Sequence, residues 1–185
     1  MTRRRTWILI AASLLLVSPV AGPVASSKQE AQPTPPVLGR AEIAGLVQSL
    51  NPRVDAPRAQ RIAVAVTRCE AEQGLRSELV LAVMTVESNM RPSAQSPKGA
   101  MGLMQVMPHM FDQLDLPGPI SHLETNVEAG CMLLADNIRR LGEKDGISSY
   151  FWGSRIGGDA YLRRVQAVLD DLAFELEAPE KRSRG

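Results

Sequence analysis

Apolar residues recur at three- and four-residue spacing along most of this 185-residue chain, and proline or glycine breaks the pattern after each helix-sized length. That arrangement dictates a set of short helices, because no run of apolar–polar alternation is strong enough to compete as a strand. A first segment covers residues 41–50 and stops at Asn51-Pro52. Pro57 opens a second, where its missing N–H does no harm, and Gly74 closes it; Ile62, Val66 and Cys69 share one face. Ser77 stands where a cap is wanted for a third segment, residues 78–89, with Leu79, Val83 and Val86 at helical spacing. A short helix follows around 108–114, then a loop at 116–119. Thr125 or Asn126 is placed to cap a long helix running to 141, with Ala129, Met132, Leu133 and Ile138 inward. Residues 142–146 read as a turn, and two last helical segments cover 147–152 and 159–177. The expected fold class is all-α, a compact helical domain.

The domain is expected to span 40–178. Residues 27–39 are rich in proline, serine and glutamine, so they read as an extended linker. Arg3, Arg4 and Arg5 precede an apolar run from Trp7 to Val17, and small residues follow it, so residues 1–26 have the layout of a secretory signal peptide. The alternative is an uncleaved anchor, although the run is short for a bilayer. Residues 179–185 form a charged tail, expected to be disordered. Export to the periplasm or cell envelope would place Cys69 and Cys131 in an oxidising compartment, where pairing is the default. A bridge between them would close a loop of 62 residues, worth roughly 4 kcal/mol in the loop-entropy account. The competing reading is two separately buried thiols. A net charge of +1 and an aromatic content of 4% argue against a nucleic-acid partner.

Chemistry concentrates in one stretch: Glu87-Ser88, Pro92, Ala94, Ser96, Gly99-Ala100, Gly102-Leu103-Met104-Gln105 and Pro108. Glu87 sits within a turn of the end of an apolar helix. Partial burial among Val83, Met84 and Val86 would raise its pKa, and the negative end of the helix dipole pushes the same way. A carboxyl protonated near neutrality can give its proton to a leaving oxygen. Gly99 and Gly102 let backbone approach a ligand or another segment. Taken singly, a glutamate at a helix end is usually solvated, and a Gly-Ala-Met-Gly run is usually a turn.

In order and spacing, however, the stretch resembles the family 1 soluble lytic transglycosylase domain, or SLT domain. That family reads Glu-Ser, a spacer with Pro and Ala, Ser, then Gly-Ala-x-Gly-Leu-Met-Gln and a nearby Pro. A second block, Asn-x-x-x-Gly before a leucine-rich helix, matches Asn126 and Gly130. The resemblance covers roughly residues 40–172. It implies a lysozyme-like helical domain with a groove and Glu87 as catalytic acid and base. Ser96, Gly102, Met104 and Gln105 are then expected to bind substrate. The third block, Ala-Tyr-Asn-Ala-Gly, is present only as Ser149-Tyr150-Phe151-Trp152-Gly153, with Phe151 in place of the Asn. Tyr150 is expected to hydrogen-bond near Glu87 and orient it.

The resemblance further implies cleavage of the β-1,4 bond between N-acetylmuramic acid and N-acetylglucosamine in peptidoglycan, leaving 1,6-anhydro ends. No second carboxylate is convincing: Asp112, Asp115 and Glu124 each read as loop or capping charges. This agrees with assistance from the substrate's own acetamido group. Two other readings fit the same residues, a lysozyme-like hydrolase and an inactive peptidoglycan-binding scaffold; the Phe151 departure keeps the latter open. A monomer is expected, with glycan strands as its partner and, by analogy, a secretion or conjugation apparatus that needs the wall opened locally. No cofactor or metal is expected, since His109 and His122 lack zinc-like spacing. Seven methionines between Met84 and Met132 read mainly as core.

Overall fold

Asp55 accepts a hydrogen bond from the Arg58 amide (2.8 Å) and so starts the helix whose other end Gly74 closes in the left-handed conformation. This and the other elements come from a computed structural model, which describes residues 37–183 and side chains to 177. The expected signal segment and most of the expected linker lie outside the described residues. Seven helices follow in order: α1 Arg40–Leu50, α2 Ala56–Gln73, α3 Ser77–Ser88, α4 Pro108–Phe111, α5 Leu123–Leu141, α6 Glu143–Trp152 and α7 Ala160–Ser183. Among the described residues the extended pairing is limited to isolated bridges, Gln95 with Met101 and Met101 with Val106. The all-α expectation is met.

α3 is the central element. Leu79, Val80, Leu81, Ala82, Val83 and Met84 are all buried, a helix apolar on every side and therefore enclosed rather than amphipathic. α2 and α7 pack against it, α1 and α5 flank α2, and α6 lies between α5 and α7. α7 turns Tyr161, Val165 and Leu172 inward, at helical spacing.

Four local expectations need correction. Ser77 does not cap α3: it is the first residue of the helix, and its hydroxyl donates to Glu70 Oε2 (2.7 Å). α5 starts at Leu123, so Thr125 and Asn126 lie inside it, and Asn126 is buried. The turn expected at 142–146 shrinks to Gly142, and α6 begins at Glu143. Gly146 is not a breaker but a point of close approach, since a Cβ there would lie 2.6 Å from Ile138 Cα on α5. Finally, α7 continues to Ser183, through much of the stretch expected to be a disordered tail. The Glu180, Lys181 and Arg182 that suggested a solvated tail are also good helix formers.

Cys69 on α2 and Cys131 on α5 form a disulfide, with Cα atoms 5.9 Å apart. The bridge joins two neighbouring helices and closes a 62-residue loop that contains α3 and the whole irregular segment after it. Replacing both cysteines by alanine is expected to lower the unfolding free energy by roughly 4 kcal/mol. Chemical denaturation with and without reductant measures this; a midpoint that neither the substitution nor the reductant moves would contradict it.

Candidate active site

Glu87 is the penultimate residue of α3, where the apolar helix meets solvent. The chain must leave the helix at once, and Asn89 and Met90 both take left-handed conformations, φ 52° and 57°. Asn tolerates this; Met does not do so readily, at a cost on the order of 1–2 kcal/mol. Full burial of Met90 and a 2.8 Å bond from Asn51 Nδ2 to the Asn89 carbonyl hold the exit in place. Glu87 is left half-buried, and the Tyr161 hydroxyl donates to its Oε1 at 2.7 Å. Burial pushes the Glu87 carboxyl up; the Tyr161 hydrogen bond and the nearby Arg164 charge pull it partly back, leaving a net rise. Tyr161 itself stays protonated, because burial and the Glu87 charge both raise it. Phe151 stacks on the Tyr161 ring (centroids 4.9 Å apart, planes at 13°). The Arg164 guanidinium lies 5.6 Å from the Tyr161 centroid and 5.9 Å from that of Phe151.

The segment after Glu87 has little regular structure, and one buried side chain organises it. Asn126 Nδ2 donates to the Met101 carbonyl (2.8 Å), and its Oδ1 accepts from the Met104 amide (2.9 Å). Two glycines make room. A Cβ on Gly102, whose φ is +77°, would lie 2.4 Å from Asn126 Cγ, and one on Gly130 would lie 2.4 Å from Met104 Cβ. The Met104 carbonyl, fixed in this way, accepts the Tyr150 hydroxyl at 2.8 Å. Gln105 has φ +48° and donates from Nε2 to the Ala94 and Gly102 carbonyls. Its Oε1 makes no hydrogen bond to the described residues. Ser96 Oγ accepts from the Ala100 amide (3.0 Å) and closes the turn at 96–100.

Glu87, Ser96, Gln105 and Tyr150 line one cavity of about 600 Å³, together with Lys98 and the aromatic pair Phe151 and Trp152. That volume suits a ligand of a few rings. Gly102 and Met104 do not line it. Met104 has no exposed surface and packs behind the wall, so what it offers the site is its backbone carbonyl. Tyr150 does not bond Glu87; Tyr161 does, a residue the sequence reading had placed only within the last helix. With two tyrosines in the chain, the second was a visible candidate, but no local pattern joins it to a carboxyl 74 positions away. Among the described residues Glu87 is the sole carboxyl lining the cavity. Glu124 is held by Arg61 through two 2.8 Å bonds, which keep its carboxyl below the ordinary range. Among the described residues no group of three or more His, Cys, Asp or Glu side chains could hold a metal ion.

Residues 65–164 match the Transglycosylase SLT domain family, more than half of the chain. The chain belongs to that family. Among solved structures, it is similar to an inactive mutant of lytic transglycosylase Slt from Pseudomonas aeruginosa, at 18% identity and a TM-score of 0.48 over 80% of this chain and 31% of that one. It is also similar to the 70 kDa soluble lytic transglycosylase Slt70 from Escherichia coli, at 22% identity and a TM-score of 0.46 over 72% of this chain and 25% of that one. The chain thus spans less than a third of the length of either. No curated protein matches it.

Because burial lifts the folded-state pKa of Glu87 above the ordinary value near 4.5, its ionised form destabilises the fold. That penalty is absent where both folded and unfolded chains are protonated, grows as pH rises through the raised value, and is complete above it. Glu87→Gln should therefore melt above wild type in mildly alkaline buffer, and the gap should close below about pH 4. Calorimetry across that range is the check, and identical melting curves at every pH would contradict a half-buried carboxyl.

Proposed function

We propose that this chain is a peptidoglycan lytic transglycosylase. It cleaves the β-1,4 bond between N-acetylmuramic acid and N-acetylglucosamine and leaves 1,6-anhydromuramic ends. The observation that carries this reading is a single carboxyl, raised by burial, in a cavity where the described residues supply no second one. Two-carboxylate glycosidases hold their pair about 5–9.5 Å apart, one as acid and the other as nucleophile or base. Here one group must serve as both.

Tyr161 donates to Oε1, so that oxygen is occupied as an acceptor and the acidic proton resides on Oε2. Protonated Glu87 gives this proton to the glycosidic oxygen, and the bond from that oxygen to the muramic C1 breaks. The acetamido oxygen of the same sugar supports the cationic C1. The Glu87 carboxylate then takes the proton from the C6 hydroxyl, and O6 closes on C1 as the acetamido oxygen leaves. Glu87 ends protonated, and no water is consumed. Gln105 Oε1 and the Ser96 hydroxyl are the polar groups available to sugar hydroxyl and amide groups. Phe151 does not dismantle the site by replacing an Asn: its ring packs on Tyr161, which keeps its hydrogen bond to Glu87. This favours an active enzyme over an inert scaffold. The Cys69–Cys131 bridge supports work outside the cytoplasm, consistent with an exported chain.

Mass spectrometry of muropeptides released from purified sacculi tests the reading. Wild type should yield anhydro ends, and Glu87→Gln should fold yet release them about 10²–10⁴-fold more slowly. Reducing ends in their place would identify a hydrolase. Tyr161→Phe should lower kcat by roughly tenfold, the scale of one hydrogen bond to a charged group. It should also move the alkaline limb of the pH–rate profile upward, because the lost bond had favoured the carboxylate.

A further inference from the structure

Aromatic residues are scarce in this chain, seven in all, yet Tyr150, Phe151 and Trp152 line one cavity and Tyr161 packs against Phe151. The two tyrosines are spent on internal hydrogen bonds, to Met104 and Glu87. Phe151 and Trp152 are not. They end α6, both line the cavity that holds Glu87, and they remain 49% and 39% exposed. Adjacent large apolar rings left partly in water on the wall of the cavity that holds Glu87 call for an occupant.

Both rings are held rigidly. Phe151 is stacked on Tyr161 and lies beneath the Arg164 guanidinium. Trp152 meets Phe151 edge to face, with centroids 5.0 Å apart and planes at 87°. Gly157 backs the Trp152 ring so closely that a Cβ there would come within 3.0 Å of it. Fixed aromatic surfaces bind at little entropic cost. A pyranose ring matches them, because its faces are made of polarised C–H bonds that suit the negative face of an aromatic ring, while its hydroxyls point outward from the edge. In a β-1,4 glycan those ring faces stay accessible.

We propose that Phe151 and Trp152 form a sugar-binding aromatic corner, in which Trp152 offers its ring face to a pyranose of the glycan and Phe151 supports it from the side, next to the bond presented to Glu87. The proposal rests on the glycan-cleaving reading above and adds to it the surface that grips the strand. Continuity decides the occupant: the rings and the Glu87 carboxyl line one cavity, so a glycan strand bound at the acid lies beside the aromatics. The aromatic corner acts on binding and Tyr161 on proton transfer, so the two are separable.

The test pairs binding with kinetics on the full chain. Heat-based titration with chitotetraose, a β-1,4 tetramer of N-acetylglucosamine, gives Kd. Turnover of soluble, peptide-free glycan strands gives kcat and KM. Trp152→Ala should raise Kd and KM about five- to tenfold, the scale of one aromatic stacking contact, with kcat within about twofold. Trp152→Phe should restore most of the loss. Phe151→Leu, which keeps apolar packing on Tyr161 but removes the flat ring, should likewise raise Kd and KM. Thermal melting verifies that each variant is folded. Wild-type Kd and KM in folded Trp152→Ala and Phe151→Leu would overturn the aromatic corner and leave the glycan-cleaving reading intact. A wild-type chain that neither binds chitotetraose nor cleaves strands would overturn both.

Discussion

Asn126 decides where the cleft floor lies. The segment between α3 and α4 is held by turn hydrogen bonds of its own, such as the Met101–Val106 pair and Gly102 N–H to the Ala94 carbonyl, but these do not tie it to a helix, and buried backbone groups without partners are costly. Asn126, itself 1% exposed, supplies a donor to Met101 and an acceptor to Met104, acting as a rigid strut from α5 into that loop. The strut works only because Gly102 and Gly130 have no side chains where loop and helix meet. Once Met104 is set, its carbonyl becomes a fixed acceptor for Tyr150, which ties α6 to the same loop. The cavity wall therefore follows from one amide and two missing side chains.

Glu87 is governed by a balance of opposed effects. Burial at the end of an apolar helix disfavours its charge, while the Tyr161 hydroxyl and Arg164 favour it. Burial wins, and a carboxyl that prefers its proton more than usual is what acid catalysis on a glycosidic oxygen requires. The same arrangement makes the site locally unfavourable to the fold. The left-handed pair Asn89 and Met90 adds backbone strain at the same spot. The disulfide between α2 and α5, and the enclosure of α3 by its neighbours, hold the domain together around this unfavourable centre.

The replacement of an Asn by Phe151 has a structural answer. In a polar setting the change would strip hydrogen bonds from the neighbouring tyrosine. Here the ring lies flat against Tyr161 and joins Trp152 at the lip of the cavity. Tyr150 keeps its own partner on the loop. The departure thus exchanges local polar contacts for aromatic packing on Tyr161, whose bond to Glu87 is intact.

Sequence alone settled what depends on neighbours along the chain. Spaced apolar residues between Pro57, Gly74 and Pro92 marked the helices, because helical periodicity and helix breakers are local properties. Glu87 at the end of its apolar helix, and the Gly-Ala-Met-Gly-Leu-Met-Gln segment after it, were legible for the same reason. Tertiary structure decided everything that needed two helices to meet. It chose Tyr161 over Tyr150 as the partner of Glu87 and turned Asn126 from an expected cap into a buried strut. It also made Gly146 a point of contact instead of a turn, and put Met104 behind the cleft wall. Periodicity tells a residue which face it occupies; only the packing of α2 and α7 on α3, and of α5 and α6 on those helices, tells it which distant group it will touch.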